Sequence, residues 1–209
     1  SLKRSARQVI VLGAGFDTLC LRLASQYRHV SFIEIDHPNT QALKVQSLSK
    51  RGMRPDNLNF ISNDFMEKDL SAVLQDSEGI DKKMPTLIIA EGVLMYLSEQ
   101  VVENLFNTFR DTFQAGCFVA FTFMAPDDKG KIRFHNSSRF VDWWLQFKNE
   151  PFTWGMKIKD VNKFLSSCGF TLIEIVDDKV LRKAYLNSDE LEQITLAVGE
   201  CLGFAEAGV

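Results

Sequence analysis

The chain is predicted to be a doubly wound α/β structure with a mainly parallel sheet and helices on both faces. Three observations predict it. Short, continuous apolar runs recur between residues 9 and 123, as expected of strands covered on both sides. They alternate with stretches of helical period, and parallel neighbours require such crossover helices. Several runs end in glycine or an acidic residue, so polar groups gather where open α/β sheets bind ligands.

Val9-Ile10-Val11-Leu12, closed by Gly13, reads as the first strand. After a turn over 13–18, Leu19, Leu21, Leu23 and Ala24 carry a helical pattern, and 30–35 form a second strand leading to Glu34-Ile35-Asp36, completing a β-α-β unit. Pro38 suits the first position of a helix capped by Asp36 or His37 and continued over 41–50. A third strand over 58–62 runs into Asn63-Asp64-Phe65, and a helix follows at about 70–75. Beyond Pro85, residues 86–90 form a fourth strand ending at Glu91. Ser98-Glu99-Gln100-Val101 opens a capped helix whose core stripe is Val101, Leu105, Phe106, Phe109 and Phe113. Gly116 ends it, and 117–123 form a fifth strand.

A polar loop follows at 125–131, then a helix over 134–148 with an aromatic face of Phe140, Trp143, Trp144 and Phe147. A further helix over 159–168 stops at Gly169, and 170–176 form a strand. A last strand is expected at 195–198, preceded by or merged with a helix at 189–193. With no internal repeat, low-complexity segment or linker, residues 1–209 are expected to form a single domain in which 125–155 is an insertion on the substrate side.

The chain has 24 basic against 27 acidic residues, a net charge of −3, so its total charge does not recruit nucleic acid or an anionic membrane. Its four cysteines, Cys20, Cys117, Cys168 and Cys201, are widely spaced in apolar stretches, so reduced core residues and no metal site are expected. Apolar runs of about six to eight residues fall far below the ~20 that cross a bilayer, and no signal peptide opens the chain. A cytoplasmic protein is the expectation.

Strand, then Gly13-Ala14-Gly15, then helix is a nucleotide-binding turn: glycines admit the backbone to the ligand and the helix start offers free amides. A dinucleotide fingerprint asks for a third glycine where Thr18 stands, which weighs against an NAD-dependent oxidoreductase, the enzyme alternative. Asp36, about 20 residues on, is placed to accept from two vicinal ribose hydroxyls, or to cap the next helix. Asp64, at the same edge of the sheet, can accept an exocyclic adenine amine with Phe65 near the ring, and Glu91 ends the fourth strand there too. Any one of these acids also suits a mere turn or cap.

Gly-Ala-Gly-Phe-Asp-Thr over 13–18 with Arg22, then Glu34-Ile35-Asp36, Asn63-Asp64-Phe65 and Ala90-Glu91-Gly92-Val93-Leu94-Met95-Tyr96-Leu97 together resemble the leucine carboxyl methyltransferase family. Glu150-Pro151-Phe152 and Trp154-Gly155 resemble its bacterial members. The resemblance implies a Rossmann-like class I methyltransferase fold with a seven-stranded sheet and S-adenosylmethionine as cofactor. The eukaryotic archetype methyl-esterifies the C-terminal leucine of a protein phosphatase. Many bacterial relatives are provisionally named O-methyltransferases of unassigned small-molecule substrate. An O-methyltransferase acting on a carboxylate or hydroxyl of a small molecule or protein C terminus is therefore expected.

By position, the resemblance implies that Gly13, with Ala14 and Gly15, lies against the cofactor, Asp36 holds the ribose, Asp64 and Phe65 meet the adenine, and Glu91 sits near the methionine. Asp17 and Arg22 also match, Arg22 as a structural partner of a nearby acid. Family members carry basic residues before the first strand that contact the cofactor carboxylate. Here only Lys3, Arg4 and Arg7 stand there, so either that segment lies outside this sequence or activity is compromised, which motivates a third alternative, a non-catalytic cofactor-binding module.

A carboxylate acceptor, with a pKa near ~4, needs no base. A hydroxyl acceptor does, and Tyr96 and His135 are the candidates. His29, His37 and His135 otherwise suit surface or cap positions, while Tyr96 suits a sulfonium. Trp143, Trp144, Phe147, Phe152 and Trp154 serve either packing of the insertion or an apolar acceptor pocket.

Overall fold

The structure is a computed structural model that describes residues 6–65, 70–136, 152–186, 191 and 193–208. Its sheet has seven strands: β1 (Gln8–Leu12), β2 (Ser31–Asp36), β3 (Leu58–Ser62), β4 (Thr86–Ala90), β5 (Cys117–Met124), β6 (Phe170–Val176) and β7 (Glu200–Ala207). The described helices are α1 (Leu19–Gln26), α2 (Pro38–Lys50), α3 (Leu70–Asp76), α4 (Glu99–Thr112), α5 (Ile158–Ser167) and α6 (Asp178–Tyr185), with a 3-10 turn at Leu94–Tyr96. The order across the sheet is β3-β2-β1-β4-β5-β7-β6. β1 to β5 are parallel, and β7 runs antiparallel between β5 and β6.

The first six strands lie where their apolar runs predicted. The last does not. Residues 195–198 form no strand, and β7 begins at Glu200. Its inward positions are the small residues Cys201, Gly203, Ala205 and Ala207, and at Gly203 a neighbouring ring demands it: a Cβ there would lie 2.5 Å from Phe121 Cζ. A strand lined with small residues has a weak apolar signature, whereas Ile194 and Leu196 gave a stronger but misleading one. The helix expected at 189–193 falls largely outside the described residues, as do Phe140, Trp143, Trp144 and Phe147. Phe134 to Asn136, expected to begin a helix, are not helical, and His135 and Asn136 form a turn. The unanticipated α6 buries none of its residues and is capped by Asp177, which accepts from the Val180 N–H.

The two faces of the sheet are covered differently. On one, α3, α4 and α5 enclose an aromatic core in which Phe106, Phe109, Phe121 and Phe123 are fully buried. On the other, Val9, Val11 and Phe32 pack with Cys20 and Ala24 of α1. In α4 the buried stripe is Val102, Leu105, Phe106 and Phe109; Val101, expected in it, is turned outward. Val102 lies four residues before Phe106 and therefore on its face, while Val101 is a further 100° round. All four cysteines are free and buried, as expected. No described helix is long and apolar enough to cross a membrane.

Register decides what reaches the sheet's carboxyl edge. Leu12 pairs with both Ile35 and Ala90, and Asp36 pairs with Ser62. The residues at or just beyond these strand ends, Gly13, Asp36 with His37, Asn63 with Asp64, and Glu91, therefore emerge along one edge.

Candidate functional site

The turn after β1 requires glycine for two different reasons. Gly13 (φ 61°) has no room: a Cβ there would lie 2.3 Å from Val93 Cγ2. Gly15 (φ 49°) has open space beside it, so only its left-handed backbone calls for glycine. The Gly13 N–H donates to the Ile35 carbonyl at 2.8 Å, binding the turn to β2, while Ala14 packs into the core beneath. Thr18 begins α1 without a side-chain cap, because its hydroxyl accepts instead from Arg22 Nε at 3.2 Å. Among the described residues the partner of Arg22 is thus that hydroxyl and not an acid: one turn of helix brings positions 18 and 22 together.

Asp36 is 7% exposed, and its two oxygens accept from the Gly15 and His37 N–H groups. It therefore braces the glycine turn against the start of α2. The cap of α2 is His37, whose Nδ1 accepts from the Asn39 N–H, leaving Nε2 3.5 Å from Asp64 Oδ2. The Asn63 N–H donates to the Asp36 carbonyl, fixing β3's exit beside β2's. Asn63 is 1% exposed and its side-chain amide has no hydrogen-bond partner among the described residues. Phe65 packs half-buried on the core.

Beneath this edge lies an ion pair that the sequence did not disclose. Lys44 Nζ of α2 meets Glu34 Oε2 of β2 at 2.6 Å, both side chains almost wholly buried. Burial pushes the Glu34 carboxyl above its ordinary range even against the neighbouring ammonium.

At the β4 exit Glu91 is exposed, and the Gly92 N–H donates to the Thr122 hydroxyl at 2.9 Å. Between α1 and the exits of β1 and β4 opens a cleft of about 570 Å³, bounded by Gly13, Asp17, Arg22, Glu91 and Glu200. Two other cavities, lined respectively by Lys82 and Ala115 and by Arg22, Gly52 and Asn57, lie where strands begin and include none of Gly13, Asp17, Glu91 and Glu200. Glu200 of β7 was not anticipated. It reaches this edge because β5 runs beyond its pairing with β4, so that Met124 pairs with Glu200.

Tyr96 lies half-exposed beyond the β4 exit, its ring 5.5 Å from Phe152, which in turn lies 5.4 Å from Phe134. His135 donates from Nε2 to the Ala125 carbonyl at 2.8 Å, leaving Nδ1 as its basic nitrogen. Trp154 is a core residue, 3% exposed and 5.8 Å from Phe164. His29 is an exposed residue before β2.

The loop beside this aromatic group is held by Asp127, which accepts from the Lys129 and Lys131 N–H groups and from Arg133 Nε. Chiefly through the Lys131 N–H and then the guanidinium, its carboxyl is held down at about 2, against 3.8 ordinarily. Because the folded value is the lower, the brace is complete above pH 3.8 and is lost as pH falls towards 2. Hydrogen exchange at the Lys129 and Lys131 amides is expected to accelerate across that interval, and Asp127→Asn to abolish the pH dependence. Equal protection at both ends of the interval would refute the brace.

Comparison with known proteins agrees with this arrangement. The family profile described as leucine carboxyl methyltransferase matches residues 1–110. A Mycobacterium bovis (strain BCG / Pasteur 1173P2) protein, provisionally named an S-adenosyl-L-methionine-dependent methyltransferase, is 32% identical over 118 residues, covering 56% of this chain and 37% of that protein. YktD of Bacillus subtilis (strain 168), named in the same way, is 26% identical over 173 residues, covering 81% and 55%. The chain thus matches only 37% to 55% of these relatives' length.

Among solved structures, an O-methyltransferase family protein from Burkholderia thailandensis superposes with a TM-score of 0.61 at 11% identity, covering 99% of this chain and 52% of that one. Mitomycin 7-O-methyltransferase MmcR gives 0.59 at 14%, covering 97% and 49%. These likenesses establish the fold as that of class I S-adenosylmethionine-dependent methyltransferases. With more than half of its 209 residues matched by the profile, the chain belongs to the leucine carboxyl methyltransferase family.

Proposed function

We propose that the protein is an S-adenosylmethionine-dependent O-methyltransferase acting on a carboxylate or hydroxyl oxygen of a small molecule or a protein C terminus. The observation that carries this is the convergence of the Gly13 turn, Asp36, Asp64 and Glu91 on one sheet edge, level in register. The residues present fit the cofactor. Gly13 leaves no space for a side chain, Gly15 faces open space, and the buried Asn63 amide is unpartnered among the described residues. Gly13, Ala14 and Gly15 would hold it by backbone approach, Asp36 by its ribose, Asp64 and Phe65 by its adenine, and Glu91 by its methionine end. Bound there, S-adenosylmethionine supplies a methyl group on a positively charged sulfur, activated for displacement by an oxygen nucleophile.

The protein's task is then to position groups in line and keep water from the reacting atoms. Tyr96, Phe152 and Phe134 form an apolar wall next to the Glu91 exit, and we assign them, with the 125–155 insertion in a single domain, to the acceptor side. A carboxylate acceptor would need only orientation there. For a hydroxyl, the available bases are Tyr96 and His135 through Nδ1. An NAD-dependent oxidoreductase is disfavoured by Thr18 and by the antiparallel β7 between β5 and β6, since the dinucleotide fold runs 3-2-1-4-5-6. A cytoplasmic location accords with this role.

Calorimetric titration tests the reading: S-adenosylhomocysteine is expected to bind at micromolar strength and NAD not at all, and the reverse would overturn it. Asp36→Ala is expected to weaken S-adenosylhomocysteine by about 1–3 kcal/mol, since it strands both the ligand's hydroxyls and the Gly15 N–H. An unchanged affinity would remove Asp36 from the site.

A further inference from the structure

Glu200 is the one carboxylate at the cleft that no family motif accounts for. Among the described strands it begins the only one that enters this edge from the opposite direction, and it borders the same cleft as Gly13 and Glu91. Its placement is built in. The Thr122 hydroxyl, 3% exposed, accepts from the Gly92 N–H, and it also favours the charged form of the Glu200 carboxyl beside it. Thr122 thus ties the turn after β4 to β5, whose partner β7 begins at Glu200, and Glu200 and Glu91 border the same cleft.

We propose that Glu200 is a further cofactor-binding residue, which with Glu91 receives the α-ammonium of the cofactor's amino-acid end. This rests on the cofactor reading above. Two carboxylates bordering one partly enclosed cleft repel each other, and a cation between them removes that cost while satisfying acceptor oxygens. The free protein bears the mark of this: burial first, and the charge of Glu91 in addition, hold the Glu200 carboxyl above its ordinary range despite the Thr122 hydrogen bond. Arg22 and Asp17, the other charged groups bordering the cleft, come from α1 and its preceding turn on the opposite wall.

The test compares two nucleosides that share adenosine and sulfur but differ at the amino-acid end. S-adenosylhomocysteine carries the α-ammonium; 5′-methylthioadenosine lacks it. Glu200→Gln is expected to weaken S-adenosylhomocysteine about tenfold, in the range of a lost charge-assisted hydrogen bond, and to leave methylthioadenosine unaffected. Glu200→Asp, keeping the charge on a shorter stem, should recover part of the loss. Equal weakening of both nucleosides, or of neither, would overturn the assignment, with the thermal midpoint of each variant confirming that it is folded. A wild-type chain that binds neither nucleoside removes the cofactor reading itself, whereas wild-type binding that Glu200→Gln leaves intact removes only Glu200.

Discussion

Replacing Lys44 by Met is expected to lower the free energy of unfolding by about 3–5 kcal/mol, the cost of stranding one member of a buried ion pair. Lys44 and Glu34 meet at 2.6 Å, with side chains 7% and 1% exposed, and neither of the atoms in contact has another hydrogen-bond partner among the described residues. Without the ammonium, Glu34 stays ionised in a desolvated site or takes up a proton. Its folded-state pKa is already raised by burial, and loss of the ammonium, which lowers it, raises it further. The stability this group contributes is therefore present below the ordinary value of 4.5 and lost as pH rises through the folded value. Accordingly, the deficit of Lys44→Met should be largest at neutral pH and shrink on acidification. Urea unfolding followed by circular dichroism at pH 7 and pH 4.5 measures both quantities. A loss below about 1 kcal/mol at neutral pH would show that the pair is solvated in practice. The double variant Glu34→Leu, Lys44→Met removes both charges and should recover most of the loss.

The consequence reaches the site. Glu34 and Asp36 project from the same side of β2, two residues apart, so the pair anchors α2 under the carboxylate that braces the glycine turn. Nucleoside binding by Lys44→Met should weaken alongside stability.

Phe106→Ala is expected to cost a similar about 3–5 kcal/mol, for a different reason. Phe106 is fully buried on α4, and its ring lies 5.2 Å from Phe121, 5.3 Å from Phe164 and 5.4 Å from Phe170, each edge-on. One side chain thus joins α4 to β5, α5 and β6. Truncation removes the transfer energy of the ring, opens a cavity and breaks three favourable edge-to-face contacts at once. Phe106→Leu refills part of the volume and should lose clearly less. Because this core lies on the face opposite α1, the folded fraction of Phe106→Ala should bind S-adenosylhomocysteine as the wild type does. A stability loss under about 1 kcal/mol would mean that the surrounding rings collapse into the space.

These cases mark out what the sequence could disclose. The strands from Val9 to Ala90 were legible because a run buried on both faces must be continuously apolar, and the helices because turn and cap chemistry bounded them. The grouping of Gly13, Asp36, Asp64 and Glu91 was legible because each lies at or within two residues of a strand's carboxyl end, and parallel strands in register deliver those ends to one edge. β7 was not legible: its inward residues are small, Gly203 because it lies against Phe121, and small residues carry little apolar signal. Val101 was assigned to the core of α4 and Val102 overlooked, because adjacent valines differ by only one step in helical phase.

By itself, then, the sequence determined the alternation of elements, the carboxyl-edge quartet and the glycine turn, since these follow from local periodicity and backbone permissiveness. Tertiary structure alone decided that Asp36 braces Gly15 and His37, that Arg22 serves Thr18, that Lys44 neutralises Glu34 and that Glu200 enters the cleft. Most of these are contacts between elements, and the rest are choices among competing neighbours. A side chain's charge states what it can bind, but the register and crossing of strands and helices select which partner comes within about 3 Å of it.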